Sequence, residues 1–136
     1  MKKLLLGSFI LGAVAAVAVA VYMYNKPVES LEKQKVEVSI SATELFSIFS
    51  ENEVEAMTSY GDKVLEVEGN LIEILENSDG STTLLLDGGD PIFGVKCRLD
   101  PSVQASQIPE TGQKVRLKGL CIGMNADVEM NQCIIL

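Results

Sequence analysis

"GDKVLEVEG" (Gly61–Gly69) and "GQKVRLKG" (Gly112–Gly119) are two versions of one phrase. Each runs Gly-x-Lys-Val into residues that alternate apolar with polar, and each ends on a glycine. Alternation of this kind is the period of a strand with one buried face. A glycine within such a strand marks a bulge or a close approach by other backbone. The first copy continues through "NLIEIL" to Leu75, with Leu65, Val67, Gly69 and Leu71 in one phase. A long first strand bent at a glycine is what a small closed barrel requires.

The segments between and after the two copies supply the other strands. "NSDG" is a hairpin turn, "STTLLLD" a short strand, and "GGDP" another turn. "FGVKCRL" alternates Val95, Cys97 and Leu99. "PSVQASQIPETG" is a proline-bounded connection with room for one helical turn, and "QKVRLKGLC" and "DVEMNQCIIL" complete five strands. The five-stranded Greek-key barrel called the OB-fold fits this order. Before it, "SATE" is a capping box with Ser41 as N-cap and Glu44 at the third helical position. Leu45, Phe46, Phe49, Ala56, Met57 and Tyr60 then recur at helical spacing, so one amphipathic helix is expected from Ser41 until Gly61-Asp62 stops it. The acidic residues Glu51, Glu53 and Glu55 fall mostly on its solvated side.

Upstream, Lys2 and Lys3 precede an uncharged run from Leu4 to Tyr24. Such a run is long enough to cross a bilayer, and lysines before it favour a cytoplasmic N-terminus with the remainder outside. Ala18-Val19-Ala20 also fits a signal-peptidase site, giving a secreted or periplasmic form after cleavage following Ala20. The apolar run continues past that site through Val21, Tyr22 and Tyr24, which favours an uncleaved single-pass anchor. The resulting division is an anchor over 1–25, a charged linker over 26–40, and a helix-plus-barrel domain over 41–136.

Composition excludes several chemistries. The chain of 136 residues has no His and no Trp, and its net charge is −8. Without His there is no Ser-His-Asp or Cys-His catalysis and no HExxH metal site. Three cysteines without His fall short of a usual zinc set, and no CxxC redox motif is present. No cofactor is implied, and no catalytic activity is expected. Asp79, Asp87 and Asp90 lie in turn sequences where Asp is ordinary. Lys96, Arg98, Lys114, Arg116 and Lys118 form the one basic cluster, and the last three are not expected to lie all in one phase. With so few aromatics and an acidic balance, nucleic acid is disfavoured as a partner. A protein, a peptide or a small cationic ligand suits the charge better.

The segments "ATELFSIFSENEVEAMTSYGDKVLEVEG", "GVKC", "GQKVRLKGLCIG" and "DVEMNQC" resemble the tRNA-anti-like OB-fold family of small exported bacterial proteins. The resemblance covers Ala42 to Ile135. Its most distinctive residues are Asn52, Glu53, Tyr60, Lys63, and the Gly-x-Cys-x-Gly run from Gly119 to Gly123. It implies an OB barrel with an N-terminal helix and no established activity. The expected function is a non-catalytic, outward-facing binding or structural module of the envelope; the alternative is a single-strand nucleic-acid-binding OB domain. In an exported domain a structural disulfide is expected. Cys121 and Cys133 flank a turn-rich loop and are the expected pair, with Cys97 a buried thiol. Cys97–Cys133 is the alternative, because the third and fifth strands adjoin in an OB barrel.

Overall fold

In the computed structural model, which describes residues 2–25 and 31–136, the two echoing segments lie side by side. The strand β2 (Val64–Glu76) pairs antiparallel with β5 (Lys114–Asn125) from Val64↔Leu120 to Asn70↔Lys114. From Leu71 on, across a bulge between Leu71 and Glu73, β2 pairs instead with β3 (Thr82–Asp87). One strand thus serves two neighbours, which closes the sheet. The circuit continues through β4 (Gly94–Leu99) and β6 (Asp127–Ile135) back to β5. A single 3₁₀ turn, Ala105–Gln107, lies in the connection from β4 to β5. This is the five-stranded OB-fold barrel expected from the strand order.

The inward phase is apolar throughout. Leu65, Val67, Leu84, Leu86, Val95, Leu117 and Val128 are all fully buried. Leu45, Phe46 and Phe49 of α2 (Ala42–Glu51) join the same core. Ser41 caps that helix by accepting from the Glu44 amide at 3.2 Å, as the capping box predicts. The first helical residue rests directly on the barrel. A Cβ placed on Gly69 would come 2.8 Å from the Ala42 Cβ, so the glycine is where the helix reaches the strand.

Two features differ from the sequence reading. The single helix is two, because the chain breaks at Asn52 before α3 (Glu53–Tyr60). Asn52 sits at φ −154°, ψ 95°; its amide donates to Ile48 O at 3.2 Å, and its Oδ1 accepts from the Glu55 amide at 3.2 Å. In an unbroken helix Asn52 and Glu53 would share the face of Phe49, three and four residues on. The break keeps this polar pair exposed and returns Ala56 to the core.

The second difference is a strand inside the expected linker. β1 (Val38–Ser41) pairs parallel with β2, from Val38↔Leu65 to Ser41↔Glu68. Glu37 clamps its start, donating its amide to Val64 O and accepting the Val64 amide on Oε2, both at 2.9 Å. Val36, Val38 and Ile40 carry the alternation that the surrounding charges conceal. Leu31 is also buried. Residues 26–30 of the linker lie outside the described residues. The remaining element, α1 (Lys2–Asn25), contains an 18-residue stretch of mean hydropathy 2.6 and has no buried residue. Its 24 residues extend about 36 Å, sufficient for a bilayer core.

Gly69→Ala is expected to destabilise the chain by about 1–3 kcal/mol, since Ala42 is helix-bound and has little room to retreat. Asn52→Ala is expected to cost about 1 kcal/mol through loss of the cap. Urea unfolding followed by circular dichroism checks both. An unchanged midpoint for Gly69→Ala would contradict the close approach.

Candidate ligand-binding face

Outward-facing polar residues of three adjacent strands converge on one cleft. Register sets Thr83 of β3 opposite Arg98 of β4, and Lys96 of β4 opposite Glu129 of β6. The turn after β2 supplies Asn77, and the far end of β5 supplies Ile122. The concavity has a volume of ≈ 380 Å³. OB barrels bind oligonucleotides and oligosaccharides on this face, between the loops that flank it. Its rim is held by its own hydrogen bonds. The Asn77 side-chain amide donates to Ser81 Oγ and to Thr83 Oγ1, each at 2.9 Å. Asp79 accepts from the Ser81 amide at 3.0 Å and from Ser81 Oγ at 2.6 Å.

Each cation on this face is matched by a carboxylate. Arg98 pairs with Asp79 across the hairpin. Lys96 Nζ lies 3.2 Å from Asp127 Oδ2, and Asp127 Oδ1 accepts the buried Gly94 amide at 2.8 Å. The Asp79 carboxyl lies below its ordinary range. Its bonds from Ser81 do most of this, with the Arg98 charge contributing less. Asp87 and Asp90 accept amides of their own turns, Gly89 and then Ile92 and Phe93, as turn residues do. Among the described residues, no aromatic side chain lines the cleft. Phe46 and Phe49 are buried in the core, and Phe93 lies on the loop before β4.

Lys114, Arg116 and Lys118 do share one phase, on the outer side of β5, correcting the expectation that they would not. Lys114 pairs with Glu68 at 3.0 Å and Arg116 with Glu66 at 3.1 Å, both from β2. Lys118 is buried and donates to Glu32 O at 3.3 Å. Exposed pairs of this sort contribute little to stability. Their effect is on the potential, because they cancel the stripe that a phosphate backbone would need.

The residues that distinguish the family resemblance gather elsewhere, where α3 meets β5. Tyr60 packs half-buried against the core, and its carbonyl accepts the Lys63 amide at 3.2 Å. Lys63 O accepts the Cys121 amide at 3.0 Å, and the Asp62 amide donates to Cys121 O at 2.9 Å. Gly123, at φ +148°, lies where a Cβ would come 3.1 Å from Met57 Sδ. Asn52 and Glu53 form the helix break. None of these lines the cleft. Sequence reasoning noted Lys96 and Arg98 as basic residues but missed Asn77, Thr83 and Glu129. The available signal was their polar, outward phase; which strands adjoin was not in it.

All three cysteines are free and buried. The expected Cys121–Cys133 bridge is absent for a register reason. The segment read as a loop is strand: β5 runs on to Asn125 and turns tightly at Ala126, φ 65°. That extension pairs Cys121 with Met130 and leaves Cys133 over Gly119, where a Cβ would lie 2.5 Å from its Sγ. Burial, with a smaller effect from the Asp62 charge, pushes the Cys121 thiol up to about 11. Among the described residues, no group of three His, Cys, Asp or Glu side chains could hold a metal ion.

The profile of the tRNA_anti-like family matches residues 1–134. No curated protein matches the chain. Among solved structures, a lipoprotein of Klebsiella pneumoniae, provisionally designated nucleic acid-binding, is similar at 13% identity and a TM-score of 0.54; the match covers 72% of this chain and 92% of that one. Yeast Stn1 and Ten1 match at 13% identity and a TM-score of 0.44, over 76% of this chain and 64% of that one. At these identities the lipoprotein likeness establishes the fold alone.

Asp127→Ala is expected to destabilise the chain by about 1–3 kcal/mol, because it strips the buried Gly94 amide of its acceptor. Lys96→Ala is expected to cost under about 1 kcal/mol, since that lysine is substantially exposed. Thermal melts separate the two. Because Asp79 ionises more readily in the folded chain than its ordinary 3.8, the turn it holds is intact above that pH. It is expected to loosen as pH falls through the lowered value. An NMR titration of the Ser81 amide checks the sign, and a midpoint above 3.8 would contradict it.

Proposed function

We propose that this chain, which belongs to the tRNA_anti-like family, is a membrane-anchored, outward-facing binding module of the bacterial envelope without catalytic activity. The observation that carries the reading is the matching of cations by carboxylates on the OB face: Arg98 by Asp79, and Lys96 by Asp127. A surface whose positive charge is already spent, on a chain of net charge −8, offers little to a polyanion. It suits a peptide, a protein segment or a small ligand that is neutral or cationic. The apolar helix Lys2–Asn25, with its positive charge at Lys2 and Lys3, supports an anchor with the domain outside. Cleavage after Ala20 would release the same domain on the same side.

The second reading is single-strand nucleic-acid binding, favoured by Lys96 and Arg98 on the face where OB barrels bind oligonucleotides. It requires the carboxylates to yield their partners, and bases to bind without an aromatic platform.

Fluorescence anisotropy with a labelled oligothymidine and, separately, a labelled oligolysine peptide decides between the readings. At physiological salt the oligothymidine is expected to show no binding tighter than the ~10⁻⁴ M of weak non-specific association. The oligolysine is expected to bind in a salt-sensitive manner. Micromolar oligothymidine binding that weakens steeply with salt would favour the second reading. Protease added to spheroplasts is expected to remove the domain, and full protection would refute the outward topology.

A further inference from the structure

β1 stands at the edge of the sheet. It pairs with β2 on one side and, among the described residues, with no strand on the other. The ladder fixes which of its backbone groups are free. Lys63 O accepts the Cys121 amide, and the Leu71 amide donates to Gln113 O. The odd-numbered residues of β2, the buried Leu65 and Val67 among them, therefore turn their backbone toward β5. In a parallel neighbour within one sheet, residues on the buried side turn theirs the same way. Val38 and Ile40 of β1 thus bond toward β2, and Ser39 presents its N–H and C=O on the outer edge. The Glu37 carbonyl and the Ser41 amide flank it there.

Unmatched charge lies at both ends of this edge. Exposure alternates from Lys35 through Ser41, so Lys35 shares the solvent face of Ser39. Lys33 and Lys35 are exposed and, among the described residues, enter no ion pair. At the other end a concavity of ≈ 510 Å³ opens between β1, the start of α2 and the end of β3. Glu44, Glu66, Glu68 and Asp87 all line it. Glu66 and Glu68 hold Arg116 and Lys114, but Glu44 and Asp87 enter no ion pair among the described residues.

We propose that β1 pairs antiparallel with β1 of a second copy of this chain, about a two-fold axis at Ser39. With Ser39 opposite Ser39, the two serines exchange backbone bonds, and each Ser41 amide donates to the Glu37 carbonyl of the other copy. The contact is isologous, as a two-fold axis requires. The same register sets Lys35 beside Thr43 of the second copy, at the mouth of its acidic concavity. The lysines unmatched in one chain thus meet the carboxylates unmatched in the other. Lysine beside an edge ordinarily deters strand pairing. Here the antiparallel copy turns that deterrent into an attraction, whereas a parallel copy would set lysine against lysine. So few backbone bonds make a small interface. Two chains anchored in one bilayer meet at a high effective concentration, which offsets this. The pairing rests on the proposed anchor for that strength alone; the edge and its register do not depend on it.

Ser39→Cys tests the register in the full chain reconstituted into phospholipid vesicles. Opposed residues that exchange bonds lie about 5.5 Å apart at Cα, within disulfide reach. The three native cysteines are buried and do not compete. Mild oxidation is expected to give a covalent dimer on a non-reducing gel. Ser78→Cys, on the exposed turn after β2, is expected to stay monomeric. Lys35→Glu is expected to weaken the cross-link at position 39, and Glu44→Lys added to it to restore the cross-link. Circular dichroism checks that each variant folds. Equal cross-linking at positions 39 and 78, or none at 39 in protein that floats with the vesicles, overturns the inference. Protein that does not float counts against the anchor; the cross-link is then read in concentrated solution, where its absence overturns the pairing. Ser39→Pro removes the edge amide and spares the bonds to β2. If that variant loses oligolysine binding and Ser39→Cys gives no dimer, the edge belongs to a cationic partner and not to a second copy.

Discussion

Everything in the domain depends on β2 pairing with β5 along one half and with β3 along the other. A strand can serve two neighbours only by bending, and the bend falls where a bulge interrupts the ladder after Leu71. Closure turns the alternating phase into a sealed interior, and β1 pairs with the side of β2 that β3 leaves open. It also leaves one glycine on each of the paired segments with a separate duty. Gly69 admits the first residue of α2, and Gly119 admits the sulfur of Cys133. The glycines of the echoing phrases are thus packing devices, serving the helix at one point and the cysteine at the other.

The same closure determines the electrostatics. Antiparallel pairing of two strands written alike, one with Glu at its outward positions and one with Lys and Arg, sets opposite charges diagonally across the seam. The OB face repeats the pattern with Asp79 and Asp127 as the carboxylates. A basic cluster counted along the chain therefore does not become a basic surface. The cleft still gathers hydrogen-bonding groups in Asn77, Thr83 and Asn131, which suits short-range polar recognition more than long-range attraction of a polyanion.

Residues in the family pattern and residues of the cleft do different work. Tyr60, Lys63 and Gly123 join α3 to β5, and Asn52 turns the chain between two helices. They maintain the barrel on which a face is displayed. The face itself is built from residues with no distinctive motif, so members sharing this frame are free to differ in what they bind.

Local chemistry in the sequence by itself determined the strands, the Ser41 cap, the turn at Asn77–Gly80, the apolar N-terminal helix and the inward phase of the core. Each depends on neighbours within a few residues. Val38–Ile40 alternated as a strand does, yet its charged surroundings concealed it until β2 offered an edge. Tertiary structure alone decided which residues meet across strands. Register has a period of two, so a single bulge or an unforeseen extension reassigns every pair beyond it. β5 continues to Asn125, and that carries Cys121 to Met130 and seats the Cys133 sulfur against Gly119 instead. Arg98 finds Asp79, 19 residues away, only because the hairpin folds one strand onto the next.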